Sequence, residues 1–391
     1  MSTKKVTLLA MVFLLAIGLY QYSRPLPAIY AVSSLTAPKT GEAITLPWPA
    51  YGQGALAAQG YGLLQIHGDQ KAVPMASVTK VVTALAVLNK KPLGPSVDGP
   101  TITINSDDVA IYNSYYTRGG SVVKVENGEQ INERQALQAL LIPSANNIAD
   151  TLVRWAFGSQ EAYLTYANKM VADMHLSSTK IADASGFSPV SVSSAQDLVR
   201  LGLAALDNPL LAAVVSQQTV ELPMAGTVNN VNWLLGSVGV IGIKTGNTTE
   251  AGGCFLFAAK RIIGSQNITL VGALMQAPDL NTVIKDARTV ITASDSGFQS
   301  VKVASKGQTV GTYKAPWGVS TDAVAGQNLN ILAWRGIKLQ VGTKLNVLKT
   351  PAARGSNAGS ITVTSAQKTA IVPTVLKDKL QGPPWHWRLL R

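Results

Sequence analysis

A single cysteine, Cys254, stands in the 391 residues, so no internal disulfide and no Cys-x-x-Cys metal site can form. It lies in the apolar run 254–259 and reads as a buried structural thiol. Histidine is almost as scarce. His67, His175 and His386 are the only three, and none stands beside a nucleophile segment. Neither G-x-S-x-G nor H-E-x-x-H occurs, which sets aside a Ser-His-Asp hydrolase and a zinc peptidase. Charged residues are only 14% against 47% apolar, which excludes a disordered chain. The net charge of +12 is scattered. It forms no basic cluster interleaved with aromatics, so no nucleic-acid partner is expected; a diffuse basic surface suits an anionic membrane or wall polymer. No fixed-period repeat is found, and no metal or cofactor is expected.

Lys4 and Lys5 precede an apolar stretch from Val6 to Tyr20, and the next charge is Arg24, the pattern of an export signal. Ala31-Val32-Ser33 has the small residues of a cleavage site but lies past Pro25 and Pro27, well beyond the apolar stretch. The charge-free span Val6 to Ser23 is near the lower limit for crossing a bilayer. Residues 1–31 are therefore expected to be an uncleaved anchor in the plasma membrane, lysines inside and the remainder outside. Secretion after cleavage is the alternative.

Residues 32–48, rich in Ser, Thr, Pro and Ala, read as a linker. Across 49–298 helical and strand patterns mix. Helices are expected at Ser77–Leu88, Asn132–Leu141, Asn146–Phe157, Glu161–Met174 and Leu280–Ser294, and a capping box at Ser193 and Gln196 opens one through Leu206. Strands are expected at Gly60–His67, Val238–Lys244, Cys254–Arg261 and Ile268–Met275. From 299 to 391 short β-type runs separated by Gly, Pro and Asn read as a small all-β domain. There Trp385 and Trp387 alternate with His386, as if both pointed to one face.

Three short motifs occur in order: Ser77-Val78-Thr79-Lys80, Ser144-Ala145-Asn146 and Lys244-Thr245-Gly246. S-x-x-K and K-T-G are signatures of penicillin-binding enzymes, but each also recurs elsewhere, S-x-x-K at Ser2, Ser121, Ser177 and Ser365 and K-T-G at Lys39. Setting separates them. Only Ser77 opens a buried helix, where positions i and i+3 share a face and the amine meets the hydroxyl. Ser121-Val122-Val123-Lys124 reads as a strand, which points the two apart. Ser144 follows Pro143 on a tight inter-helix loop. Lys244 is placed at the end of an apolar strand, and Gly246 removes the side chain that would keep a ligand backbone away.

Those residue types define a chemistry. Ser77 is a weak nucleophile that needs a base, and Lys80 serves if burial and the ammonium of Lys244 keep it neutral. The backbone N–H groups of Ser77 and Asn247 are placed to hold an oxyanion. Ser144 relays a proton to the leaving amine, and Asn146 bonds the substrate amide or Lys80. Lys244 and Thr245 hold a substrate carboxylate, which favours substrates with a free C-terminus.

The sequence resembles the low-molecular-mass penicillin-binding proteins, the serine-type D-alanyl-D-alanine carboxypeptidases. Residues 74–80 resemble the nucleophile segment of that family, 140–147 its second motif with Asn147 where Asp is common, 183–189 a loop after a Met-containing helix, and 244–254 its third-motif strand pair. The resemblance covers roughly residues 45–300, and more loosely the β region ending at 384–389. It implies an α+β fold, with a cleft between a helical cluster and a mostly antiparallel sheet flanked by helices. It also implies an acyl-enzyme on Ser77, acylation by penicillins, and trimming of peptidoglycan stem peptides ending in D-Ala-D-Ala. Many relatives carry an amphipathic membrane helix after the β domain; here the sequence ends at Arg391, and the N-terminal segment is expected to anchor instead. A D,D-endopeptidase, a β-lactamase using Glu161 as deacylating base, and a wall-binding protein with a dead site are the competing readings.

Overall fold

The computed structural model describes residues 3–391, so the Ser2 copy of the motif lies outside it. The chain divides into two compact units, residues 45–297 and residues up to 44 together with 298–391.

In chain order the second of these begins with helix α1 (Thr3–Ser23) and strand β1 (Ala31–Ser33). α1 buries none of its described side chains and is long and apolar enough to cross a membrane. The segment expected to be a linker from 32 to 48 contains the boundary between the two units, but its start is part of a sheet. Ala31 to Ser33 pair with Tyr313 to Gly311, Ile29 is 1% exposed, and the Thr40 hydroxyl donates to Ile337 O at 2.5 Å. β-branched and small residues there close a sheet edge that would otherwise be bare.

Unit 45–297 is built on a five-stranded antiparallel sheet. Its first strands are β2 (Gln53–Ala58) and β3 (Gly62–His67). Two-residue β4 (Val73–Pro74) then leads through one 3-10 turn (Ala76–Val78) into α2 (Thr79–Lys90). Every residue of α2 from Thr79 to Leu88 is buried, the polar Thr79, Lys80 and Thr83 included. β5 (Thr101–Thr103), α3 (Ser106–Thr117), β6 (Gln130–Asn132), α4 (Glu133–Leu141), α5 (Asn146–Phe157) and α6 (Gln160–Asp173) follow. Then come β7 (Val192–Ser193), α7 (Ala195–Asp207), α8 (Pro209–Val215) and the hairpin β8 (Thr219–Leu222) and β9 (Gly226–Asn229). β10 (Val240–Thr248), β11 (Gly252–Ile263), β12 (Gln266–Ala277) and α9 (Leu280–Ala293) end the unit. The sheet order is β10-β11-β12-β2-β3. Residues 253–259 of β11 are buried in succession, which requires both sheet faces to be covered; α7 and α9 both pack on the sheet.

Local chemistry explains three departures from expectation. The helix start placed at Ser193 is capped one residue later, by Ser194 accepting from Asp197 N, because Ser193 pairs with Val73. α3 went unforeseen despite a capping box of Asn105 and Asp108. Ser121 to Lys124 form no strand; instead the Asn147 side chain both accepts from Val123 N at 3.1 Å and donates to Val123 O at 3.0 Å.

The other unit continues with β13 (Phe298–Ala304), β14 (Thr309–Lys314), β15 (Ser320–Ala325), β16 (Leu329–Trp334), β17 (Gln340–Leu345), β18 (Asn357–Ser365) and β19 (Lys368–Leu376). They form a six-stranded sheet in the order β1-β14-β15-β19-β18-β17 and the pair β13-β16. Tyr313 is fully buried and its hydroxyl donates to Asn346 O and Ala358 O. The all-β expectation misses α10 (Trp385–Leu390). On a helix, positions i and i+2 diverge: Trp387 packs edge-on against Trp317, whereas Trp385 is 68% exposed.

Candidate active site

The turn preceding α2 lifts Ser77 to the helix entrance and leaves Lys80 one turn further in. Lys80 Nζ lies 2.8 Å from Ser77 Oγ, 2.6 Å from Asn146 Oδ1 and 2.7 Å from Ser185 O. Its side chain is completely buried. Burial first, and then the charge of Lys244, hold the Lys80 amine well below the ordinary lysine range; Asp183 and Asp150 act in the opposite sense.

Two chain segments fix this amine. Asn146 opens α5 and is 3% exposed, with its N–H donating to Ser121 O at 2.8 Å. Ser185 belongs to the loop 183–188, which Asp183 gathers. Its Oδ2 accepts from Ser185 Oγ at 2.8 Å and Phe187 N at 2.9 Å, and its Oδ1 from Ser191 Oγ at 2.5 Å. Thr83 Oγ1 donates to Ala184 O at 2.6 Å, tying the loop to α2.

Ser144 lies between α4 and α5 with φ +68°. It is 4% exposed, and its Oγ has no hydrogen-bond partner among the described residues. A buried hydroxyl without a partner is costly.

Lys244 and Thr245 do not end β10 but lie mid-strand, 2% and 3% exposed. Lys244 Nζ donates to Thr245 O at 2.9 Å, and burial lowers this amine to about 7. Gly246 explains itself sterically: a Cβ there would sit 2.9 Å from Met75 O and 3.0 Å from Ser77 N. The strand thus runs against the turn that carries Ser77. Asn247 follows, and with Ser77, Asn146, Gly186 and Thr248 it lines a cleft of about 290 Å³.

Sequence reasoning missed several groups around this cleft. Tyr115 donates to Asp150 Oδ2 at 3.0 Å, and burial raises Asp150 to about 6. Asp150 stands four residues after Asn146 on α5, a spacing that places both on one face. Arg118 and Glu250 line the cleft as well. Glu161 does not; it is exposed in the first turn of α6. Cys254 is fully buried, and burial pushes its thiol up to about 11.

The family model for Peptidase S11, D-alanyl-D-alanine carboxypeptidase, matches residues 60–278. The chain belongs to that family. Among the family's proteins, a D-alanyl-D-alanine endopeptidase of Pseudomonas aeruginosa is 30% identical over 240 residues, 58% of this chain and 72% of that protein. The D-alanyl-D-alanine carboxypeptidase DacF of Bacillus subtilis is 22% identical over 75% of this chain and 76% of its own length. In solved structures, penicillin binding protein 5 from Haemophilus influenzae superposes with a TM-score of 0.62 at 19% identity, over 87% of this chain and all of that one. The Streptomyces K15 DD-transpeptidase gives 0.58 at 24% identity over 65% of this chain and all of its own. The fold is that of the serine DD-peptidases, and the protein is a serine-type D-alanyl-D-alanine carboxypeptidase, a hydrolase.

Proposed function

We propose that Ser77 carries the acyl group, that Lys80 is its base, and that the enzyme removes the terminal D-alanine of peptidoglycan stem peptides. One observation supports this above the rest: the three contacts of Lys80 Nζ. Two are to carbonyl oxygens, of Asn146 and Ser185, which can only accept. When the amine is neutral, its two N–H groups serve those, and its lone pair is left for the Ser77 hydroxyl, 2.8 Å away.

The steps follow. Ser77 Oγ attacks the carbonyl carbon of the penultimate D-alanine as its proton passes to Lys80 Nζ. The oxygen of the tetrahedral intermediate lies on the N–H groups of Ser77 and Asn247. The C–N bond breaks as Ser144, with its unpartnered hydroxyl, passes a proton from Lys80 to the leaving nitrogen. D-Alanine departs, and water, activated by the same lysine, hydrolyses the ester. Asn146 holds Lys80 or the substrate amide, and Lys244, Thr245 and Gly246 receive the terminal carboxylate alongside β10. A penicillin acylates Ser77 by the same first step.

The carboxylate site favours removal of a free terminal residue over endopeptidase cleavage, the activity named for the Pseudomonas relative. It also gives a pH signature. With Lys244 lowered to about 7, its ammonium is present below that pH and lost above it, although a bound carboxylate raises it again. KM for a peptide with a free C-terminus is expected to rise several-fold from about pH 7 to about pH 9, while an amidated C-terminus shows no such rise. A flat KM for the free acid excludes Lys244 from carboxylate recognition.

The 21 residues of α1 at about 1.5 Å each span about 30 Å, the thickness of a bilayer core. With Lys4 and Lys5 at its start, α1 would hold the catalytic unit on the outer face of the plasma membrane, where the basic surface meets anionic lipid or wall. Mass spectrometry after incubation with a fluorescent penicillin, with a D-alanine release assay, tests the catalytic reading. An adduct on the peptide containing Ser77 and release of free D-alanine are expected. An adduct elsewhere, or none, overturns it.

A further inference from the structure

We infer that Arg118 forms a second carboxylate subsite, reading an acidic side chain on the acyl-donor part of the peptide. This rests on the peptidase reading above. Arg118 is exposed, but its side chain has defined partners. Its guanidinium lies over the rings of both Tyr115 and Phe187, 4.9 and 5.0 Å from their centroids. Those rings meet edge-to-face, and Arg118 Nε donates to Ser114 O at 3.0 Å. Stacking and the Nε bond hold the planar group in place while its terminal nitrogens stay free. Among the described residues it has no ion-pair partner, even though Glu250 lines the same cleft. A pre-ordered, unpaired guanidinium suits a carboxylate, which it can grip through two parallel N–H bonds.

Its position says which carboxylate. The segment 118–121 forms the wall of the cleft facing Asn247 to Glu250. It is registered on the catalytic loop: a Cβ on Gly120 would lie 2.8 Å from Asn146 Nδ2, and Ser121 O accepts from Asn146 N. Asn247 and Thr248 lie two and three residues beyond Thr245, about 7–10 Å along β10. The terminal carboxylate is assigned to the Thr245 end, so Arg118 faces the peptide on the other side of the scissile bond. The matching group is a side-chain carboxylate on the residue before D-alanyl-D-alanine.

Two peptides test this, alike except that this residue bears a side-chain carboxylate in one and the corresponding carboxamide in the other. Calorimetric binding to the full-length S77A protein is expected to favour the carboxylate about tenfold, the preference falling with added salt. Adding R118Q is expected to bring the ratio to within about twofold of unity, and R118K, a point charge without the fork, to an intermediate value. Equal binding of the two peptides by S77A, or a preference that survives R118Q, overturns the subsite. If R118Q does not fold, an undiminished preference in R118K overturns it equally. D-Alanine release by the unsubstituted enzyme is measured alongside. Its absence with both peptides refutes the peptidase reading, while the binding ratio still decides the subsite.

Discussion

Replacing Lys80 by glutamine is expected to lower kcat/KM for D-alanine release about 10³-fold, or about 4 kcal/mol of transition-state stabilisation. The acylation rate by a fluorescent penicillin should fall with it, because both reactions share the first proton transfer. Glutamine isolates the cause. Its amide supplies two N–H donors for Asn146 Oδ1 and Ser185 O, the acceptors that Lys80 serves, but no basic lone pair for Ser77. Folding is therefore expected to survive, with a thermal midpoint close to that of the unsubstituted protein. K80R should be as inactive, since a guanidinium is never neutral at working pH. The pH profile carries the sign. Because the amine is held well below its ordinary value, kcat, as distinct from the KM that Lys244 governs, should be flat through neutral pH and fall on the acid side, as Lys80 takes up its proton. A limb near the ordinary lysine value of about 10.4, with activity lost below it, would falsify the neutral-base assignment.

The site was more legible in the sequence than the scaffold. Ser77 and Lys80 meet because a helix returns to the same face after three residues, and that needs only local pattern to see. Ser144 and Asn146 were placed by Pro143 and by the start of the next helix. Long apolar strands and α5, whose sequence-based bounds coincide with Asn146–Phe157, were equally open to reading. What stayed hidden depends on contacts between distant segments. Val32 and Ser33 look like linker because nothing local shows that β14 has an edge to fill. Ser121 to Lys124 have strand composition, yet their backbone partner is one side chain, Asn147, rather than a neighbouring strand. Trp385 to Trp387 alternate as a strand would, but Pro384 leads into a helix. Arg118 carries no motif; what distinguishes it is the pair of rings beneath it, and Phe187 is 69 residues away in the chain.

The groups that poise Lys80 show the same division. Asp150 is local to Asn146, one helical turn on, while Asp183 reaches the amine only through the loop it folds around itself. Burial lowers the amine and the two carboxylates oppose it. On the proposed mechanism this balance suits a base that is neutral at rest and has carboxylates nearby to stabilise the ammonium formed during acylation.

Gly186→Ala is expected to damage both stability and activity, although it adds one methyl group outside all three motifs. Gly186 has φ +74°, where an alanine costs about 1–2 kcal/mol for backbone alone. The larger effect is a collision. A Cβ at this position would fall 1.8 Å from Ala76 O and 2.6 Å from Thr79 Oγ1. Those atoms belong to the turn that presents Ser77, and Thr79 Oγ1 already donates to Ala76 O at 2.8 Å. Either the loop 183–188 or the nucleophile turn must move by more than 1 Å, and the loop is held by Asp183 and Thr83. A total cost of at least about 3 kcal/mol should lower the melting temperature by about 6–12 °C. A displacement of that size at the nucleophile should lower kcat/KM about 10²-fold in the molecules that remain folded. Gly246→Ala supplies the contrast. Its backbone is not in the left-handed region, and its Cβ would meet Met75 O at 2.9 Å and Ser77 N at 3.0 Å. The atoms it meets are backbone and the Ala76 Cβ, so stability should fall as well, though less than for Gly186→Ala with its 1.8 Å overlap, and on the proposed mechanism activity falls because the methyl crowds the Ser77 N–H. Melting curves and D-alanine release on the two variants separate the cases. If Gly186→Ala melts and turns over like the unsubstituted enzyme, the loop is not packed on the nucleophile turn as described.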